Sequence, residues 1–151
     1  MDVITYVTEE VSRQGHNVDA LDGIERVGWM LNGWTYALHY SHRPFDFSDI
    51  RAIGMLVERK KNAGGFRTVG VRVGSCICPP PSEVQQRLKR LLELYPGGMT
   101  PLEFYKEFEL IHPFVDGNGR TGKILLNWKN VTLLDPIFPP VDIFGYAIRN
   151  P

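Results

Sequence analysis

Hydrophobic positions recur at three- and four-residue spacing over most of the chain and at two-residue spacing over one short stretch. Val3 to Arg13 reads as a short helix that Gly15 ends. From about Asp19 to Tyr40, the residues Ile24, Val27, Leu31, Trp34 and Leu38 fall on one stripe, which predicts a longer helix buried along that face. Gly23, Gly28 and Gly33 each weaken it by up to ~1 kcal/mol against alanine, unless they admit a second helix at close range. Pro44 closes this segment. Ser48 then offers an N-cap for a helix to about Lys61, broken by Ala63-Gly64-Gly65.

From Phe66 the period changes to two. Val69, Val71 and Val73 alternate with Thr68, Gly70 and Arg72 as in a half-buried strand, Gly74-Ser75 reads as a turn, and Cys76 to Cys78 as the returning strand. A two-stranded hairpin is marginal alone, so it must lie against helices. Pro79-Pro80-Pro81 stiffens its exit. Ser82 opens an amphipathic helix to Tyr95, with Val84, Leu88, Leu91, Leu92 and Tyr95 inward and Gly97-Gly98 as its stop. Thr100-Pro101-Leu102-Glu103 combines a cap, a first-turn proline and the reciprocal Glu of a capping box. That helix runs to about His112 and buries Phe104, Phe108 and Ile111. Pro113 stops it and biases His112 away from helical dihedrals. A last clear helix is expected over Arg120 to Lys129, with Ile124, Leu125 and Trp128 inward. Pro136, Pro139 and Pro140 make a corner before a short closing helix near Val141–Ile148. The expected fold is mainly α, a helical bundle with one short β-hairpin, forming a single domain over 1–151.

Composition narrows the classes of function. Among 151 residues, 17 basic side chains balance 17 acidic ones, so the chain has no electrostatic footprint for nucleic acid or an anionic membrane. No apolar run approaches the ~18 residues of a membrane span. The N-terminus lacks the basic-then-apolar pattern of a secretory signal. Cys76 and Cys78 would share one face of a strand and match no zinc framework, so they read as small hydrophobes in a reduced compartment. The expectation is a cytoplasmic protein. His16, His39 and His42 have no acidic or cysteine partners at ligand spacing and read as surface or capping residues.

The chemistry gathers in His112-Pro113-Phe114-Val115-Asp116-Gly117-Asn118-Gly119-Arg120-Thr121-Gly122-Lys123. Gly117, Asn118 and Gly119 can adopt positive φ and turn successive N–H groups toward one anion. The helix behind them adds its own free N–H groups and positive dipole end. Arg120 adds a planar fork suited to phosphate oxygens. A carboxylate at Asp116 would repel bare phosphate by ~4 kcal/mol at 4 Å and an effective dielectric near 20, unless a divalent cation lay between them. Mg²⁺ fits that place. His112, titrating near working pH, is placed to deprotonate a hydroxyl. Gly117 to Lys123 also reads as the start of a P-loop, but Ile124 stands where a Ser/Thr is needed. Asp116-Gly117-Asn118 echoes a calcium loop, but Arg120 falls on a ligand position. From the residues alone, a plain helix end with a Gly-Asn turn and solvated His and Asp also stays open.

His112 to Arg120 matches the signature H-x-F-x-D/E-G-N-G-R and resembles the Fic (filamentation induced by cAMP)/Doc family. The likeness extends to the hairpin, the Pro-rich exit and Leu126-Asn127-Trp128, over a motif-bearing core of about 45–140; the N-terminal helices 3–40 match less clearly. The resemblance implies a protein adenylyltransferase that moves AMP from ATP to a Ser, Thr or Tyr hydroxyl. In that reading His112 is the general base and Asp116 holds Mg²⁺. Gly117, Asn118, Gly119, Arg120 and Lys123 bind the nucleotide's phosphates. Val71, Arg72, Val73 and Gly74 form a flap that docks an extended target segment by strand addition. Lys123 departs from the family, most active members having a second Arg there, and lysine lacks the bidentate fork. Two alternatives therefore accompany the main reading: a Doc-like kinase, and a module that binds nucleotide without turnover. The resemblance also implies control by an antitoxin partner or by a self-inhibitory helix with a Ser/Thr-x-x-x-Glu-Gly/Asn pattern. Thr5-x-x-x-Glu9 is a loose match followed by Glu10, and it reads more simply as ordinary residues on a solvated helix face.

Overall fold

The structure, a computed structural model, describes residues 1–140. Its helices are α1 (Val3–Arg13), α2 (Leu21–Tyr40), α3 (Phe47–Val57), α4 (Pro81–Leu94), α5 (Pro101–Ile111) and α6 (Asn118–Lys129). A 3₁₀ turn, Tyr95–Gly97, follows α4, and the strands β1 (Arg72–Val73) and β2 (Cys76–Ile77) lie between α3 and α4. The helix near 141–148 falls outside the described residues. Helix α6 is the central element, packed by α2, α3 and α5, with α1 against α2 and α4 against α5. Ile124 and Leu125 of α6 meet Trp34, Ile53, Val57, Phe108 and Phe114 in one core. The mainly helical class with a single hairpin is what the patterning implied.

Several boundaries differ from the pattern, each for a definable reason. Helix α3 is capped by Asp46, not Ser48: the Asp46 carboxylate accepts from Asp49 N–H and the Asp49 carboxylate accepts from Asp46 N–H, a capping box built from two aspartates. It ends at Val57 rather than Lys61, because Glu58 leaves helical dihedrals at φ −141°, ψ 80°. The chain then turns so that Asn62 Nδ2 donates to the unsatisfied carbonyl of Gly54 at 2.9 Å. On α2 the buried face runs through Gly23, Arg26, Met30, Gly33, Trp34 and Ala37. The expected stripe is rotated: Val27, Leu31 and Leu38 are half-buried and Ile24 is exposed. Gly33 lets α3 and α6 approach this face closely, since a Cβ there would lie 3.0 Å from Val57 Cγ1 and 3.1 Å from Ile124 Cδ1.

The hairpin is shorter than the alternation suggests. Arg72 pairs with Ile77 and Val73 with Cys76, and Val71 contributes only its carbonyl, which accepts from Cys78 N–H. Residues 66–69 are drawn onto the loop after α5 instead. Phe66 stacks on Phe114 and tilts against Phe47, and Arg67 N–H donates to Pro113 O at 3.0 Å. Both cysteines are free thiols. No helix among the described residues is long and apolar enough to cross a membrane.

The loop after α5 is seated by Gly54. A Cβ at that position would fall 2.0 Å from Phe114 Cζ. Gly54→Ala should therefore lower stability by about 3 kcal/mol, the upper end for overpacked cores, as read from urea midpoints. A loss under about 0.5 kcal/mol would mean the Phe114 ring is not wedged there.

Candidate active site

The site begins where α5 ends. Proline at 113 disfavours helical dihedrals at the preceding residue, and His112 takes the left-handed conformation, φ 52° and ψ 63°. That conformation costs a side-chain-bearing residue about 1–2 kcal/mol, so something must hold it. Arg67 does. Its guanidinium donates to His112 O (2.6 Å), Ile111 O (3.2 Å), Val69 O (3.0 Å) and Pro79 O (2.6 Å), tying the end of α5 to both arms of the hairpin. Burial lowers the Arg67 pKa, and the four carbonyls, two of them at a helix C-terminus, supply the compensating negative potential. Sequence reasoning missed Arg67; its only trace was a cation inside the apolar run that opens at Phe66.

The His112 ring is half-buried, with Nδ1 3.3 Å from Glu109 O. A carbonyl can only accept, so Nδ1 carries the proton and Nε2 the lone pair. Burial pushes the imidazole pKa down from its ordinary 6.5, and the Glu109 hydrogen bond only partly opposes this. His112 is therefore neutral and basic at neutral pH.

Asn118 shapes the turn that follows. Its Oδ1 accepts from Phe114 N–H and its Nδ2 donates to Phe114 O, both at 2.9 Å, so the side chain is spent on the loop itself. Of the Gly-Asn-Gly run only Gly117 has positive φ, at 72°; Asn118 and Gly119 already belong to α6, which starts two residues earlier than expected. Asp116 lies beside this turn. Its Oδ1 accepts from Gly117 N–H (2.8 Å) and its Oδ2 pairs with Lys61 Nζ (3.1 Å). Burial alone would raise its pKa, but the Lys61 hydrogen bond, the Arg120 charge and the Gly117 N–H outweigh it and hold the carboxyl below its usual range. Among the described residues no group of three or more His, Cys, Asp or Glu side chains converges on a point. A lone carboxylate already seating a cation fits Mg²⁺, which usually takes one or two carboxylates and completes its shell with phosphate oxygens and water.

Arg120 and Lys123 are buried, contrary to the expectation of cations presented to an open cradle. Arg120 Nη1 donates to Val57 O at 3.0 Å, while Nη2 lies 3.6 Å from Asp116 Oδ1 and 3.7 Å from Glu58 Oε1. Arg120 Nε and Nη2 have no hydrogen-bond acceptor among the described residues. Lys123 Nζ pairs with Glu10 Oε2 at 2.8 Å and reaches Tyr105 OH at 3.3 Å. Glu10 also accepts from Gln14 Nε2, and that amide nitrogen would be 2.7 Å from a Cβ placed on Gly119. The C-terminal half of α1 thus covers the first turns of α6. Glu9, singled out by the loose inhibitory pattern, is exposed; its neighbour Glu10 makes the contact. His16, expected without an acidic partner, has Nδ1 2.9 Å from Asp22 Oδ2. In the flap, Arg72 and Val73 lie in β1, Gly74 turns at φ 58°, and Val71 just precedes the strand.

The family model for the Fic/DOC family matches residues 44–129, more than half of the chain and all of the loop and helix just described. The chain belongs to the Fic/DOC family. Drosophila melanogaster "Protein adenylyltransferase Fic" is 40% identical over 89 residues, 53% of this chain and 17% of that protein. Two solved Fic structures share the fold. Fic-1 (residues 134–508) from C. elegans has a TM-score of 0.68 at 22% identity, over 92% of this chain and 50% of that one. IbpAFic2 covalently tethered to Cdc42 has a TM-score of 0.71 at 14% identity, again over 92% and 50%. The match to the fly protein thus spans under a fifth of its length. The Fic/DOC segment holds His112, Asp116, Arg120 and Lys123, whereas the α1 residues that cover Lys123 precede it.

Proposed function

We propose that the chain is a single Fic domain that transfers AMP from ATP to a hydroxyl side chain of a target protein. The observation that carries this reading is the His112 imidazole, its Nδ1 turned to the Glu109 carbonyl at 3.3 Å, beside a helix N-terminus flanked by Asp116 and Arg120. His112 Nε2 takes the proton of the target hydroxyl as its oxygen attacks the α-phosphorus; the bond to the β-phosphate bridge breaks and pyrophosphate leaves. N–H groups of Asn118 and Gly119 and the unused nitrogens of Arg120 bind phosphate oxygens, joined by the Gly117 N–H once Asp116 Oδ1 gives it up. Lys123 adds charge once Glu10 releases it. Asp116 would hold Mg²⁺, which supplies charge neutralisation on the phosphates when bound. An extended target segment adds to the hairpin edge at Val71–Gly74; the Cdc42-tethered relative supports a protein as the target.

Self-inhibition, in this reading, runs through α1 by way of Glu10 and Gln14 rather than Glu9. Gln14 is half-buried and stands over Gly119. Gln14→Ala should raise the transfer rate about 5–30-fold, the effect of a 1–2 kcal/mol coupling; a rate equal to wild type removes α1 as the brake.

The His112 pKa sets the pH dependence. The neutral ring is the base, so the rate should be flat above pH 6.5 and fall below it, with an apparent pKa beneath 6.5. The unfolded chain protonates near 6.5 and the folded one only at lower pH, so folding binds fewer protons in between. This contribution to stability is complete above 6.5 and is lost as pH falls through that window. A pH–rate profile with its midpoint above 7 contradicts the assignment. The reading as a whole is tested by incubating the protein and a cell lysate with ATP or GTP, with and without Mg²⁺, followed by intact-mass analysis. A gain of one AMP unit supports it, and a gain of one phosphate favours the kinase alternative.

A further inference from the structure

Beneath the site, side chains from three helices form a chain of alternating charge: Asp22 and Arg26 of α2, Glu58 at the end of α3, then Arg120 of α6 and Asp116. Glu58 is fully buried, as is Arg120. Glu58 Oε1 accepts from Arg26 Nε at 2.8 Å and lies 3.7 Å from Arg120 Nη2. Its Oε2 accepts from Lys61 N–H at 3.3 Å, which orders the turn that brings Lys61 to Asp116. Its Cβ would be 3.3 Å from a Cβ on Gly117, so its stem also lies against the left-handed turn. Two guanidinium groups share this dry pocket, and an anion must stand between them if neither is to repel the other.

Arg120 itself is sparsely tied. One nitrogen donates to Val57 O, and the two others find no acceptor among the described residues. Of the two carboxylates within 4 Å, Asp116 is the more exposed and already shared with Lys61. Glu58 is the one that stays with Arg120 whatever Asp116 binds.

We propose that Glu58 is a positioning residue for nucleotide binding: its carboxylate, anchored through Oε2 by the Lys61 N–H, sets the direction of Arg120 beside its Oε1. This rests on the reading that Arg120 binds polyphosphate. It explains why a glutamate outside the motif is carried fully buried, and why its partner Arg26 points inward from α2.

The test compares Glu58→Gln with Arg26→Met, which removes the far side of the chain without touching Arg120. Both should lower the melting temperature. Only Glu58→Gln should raise KM for ATP, by at least tenfold, with the pH dependence of kcat unmoved. The double variant Glu58→Gln/Arg26→Met, which discards both members of the pair, should fold if the single one does not, and should keep the high KM. A second readout needs no turnover: the ¹⁵N signal of Arg120 Nε–H should be sharp in wild type and in Arg26→Met, and broadened in both Glu58 variants. An equal KM and an equally sharp signal in all four proteins overturn the proposal, as does an Arg26→Met protein that shifts both as Glu58→Gln does. If wild type turns over no ATP, the adenylyltransferase reading fails, and the Arg120 signal alone decides the role of Glu58.

Discussion

His112→Ala should reduce transfer of AMP by about 10²–10⁴-fold, the usual contribution of a positioned general base, while the protein stays folded. The loss is expected to be this large because His112 is the imidazole at the mouth of the Gly117 turn; His16 lies between α1 and α2, His39 in the last turn of α2 and His42 just after it. Folding should survive because the backbone around 112 is held from outside its own side chain, by the Arg67 guanidinium donating to His112 O and Ile111 O and by the N–H of Arg67 to Pro113 O. The check is transfer of label from ATP together with a thermal melt of wild type and variant. Loss of activity accompanied by unfolding would assign His112 a structural role; retained activity would remove it as the base.

Glu10→Ala should be the most destabilising of the polar substitutions. Lys123 Nζ sits 2.8 Å from Glu10 Oε2, and both side chains are within 3% of complete burial. Removing one member of a buried pair strands the other charge, which typically costs about 3–5 kcal/mol. For a chain of this length that corresponds to a melting temperature lower by about 6–20 °C. Replacing both members with apolar groups of similar volume, Glu10→Leu with Lys123→Met, should recover most of the loss, because no charge is then left dry. Urea midpoints of the single and double variants measure this directly. A Glu10→Ala protein within about 0.5 kcal/mol of wild type would show that Lys123 does not depend on α1.

What could be read from the sequence follows a physical divide. Features set by neighbouring residues were legible. Thr100 and Glu103 form the capping box their spacing announces, and Pro113 drives His112 out of the helix as its ring geometry requires. The aspartate pair at the start of α3 obeys the same rule but hid behind Ser48, because Asp49 is a shorter reciprocal partner than Glu. Features set by residues far apart were not legible. Arg26 turns inward because Glu58, on another helix, supplies its counter-charge, and that rotates the buried face of α2. Arg67 looks like a strand residue until the end of α5 is brought over it. Glu9 and Glu10 are adjacent in sequence, and only the packing of α1 on α6 decides which of them meets Lys123. The motif gave the site its members but not their exposure: Arg120 is buried against the end of α3, and Lys123 against Glu10 of α1.

The central claim is that the site moves the α-phosphoryl group of ATP with its adenosine, and not the γ-phosphoryl group. The most direct measurement incubates the protein, with Mg²⁺ and a target lysate, in parallel with ATP labelled at the α-phosphorus and ATP labelled at the γ-phosphorus. The account predicts protein-bound label from the α-labelled nucleotide alone, and none from either in His112→Ala. Protein-bound label from the γ-position, or none from either nucleotide in wild type, would contradict it.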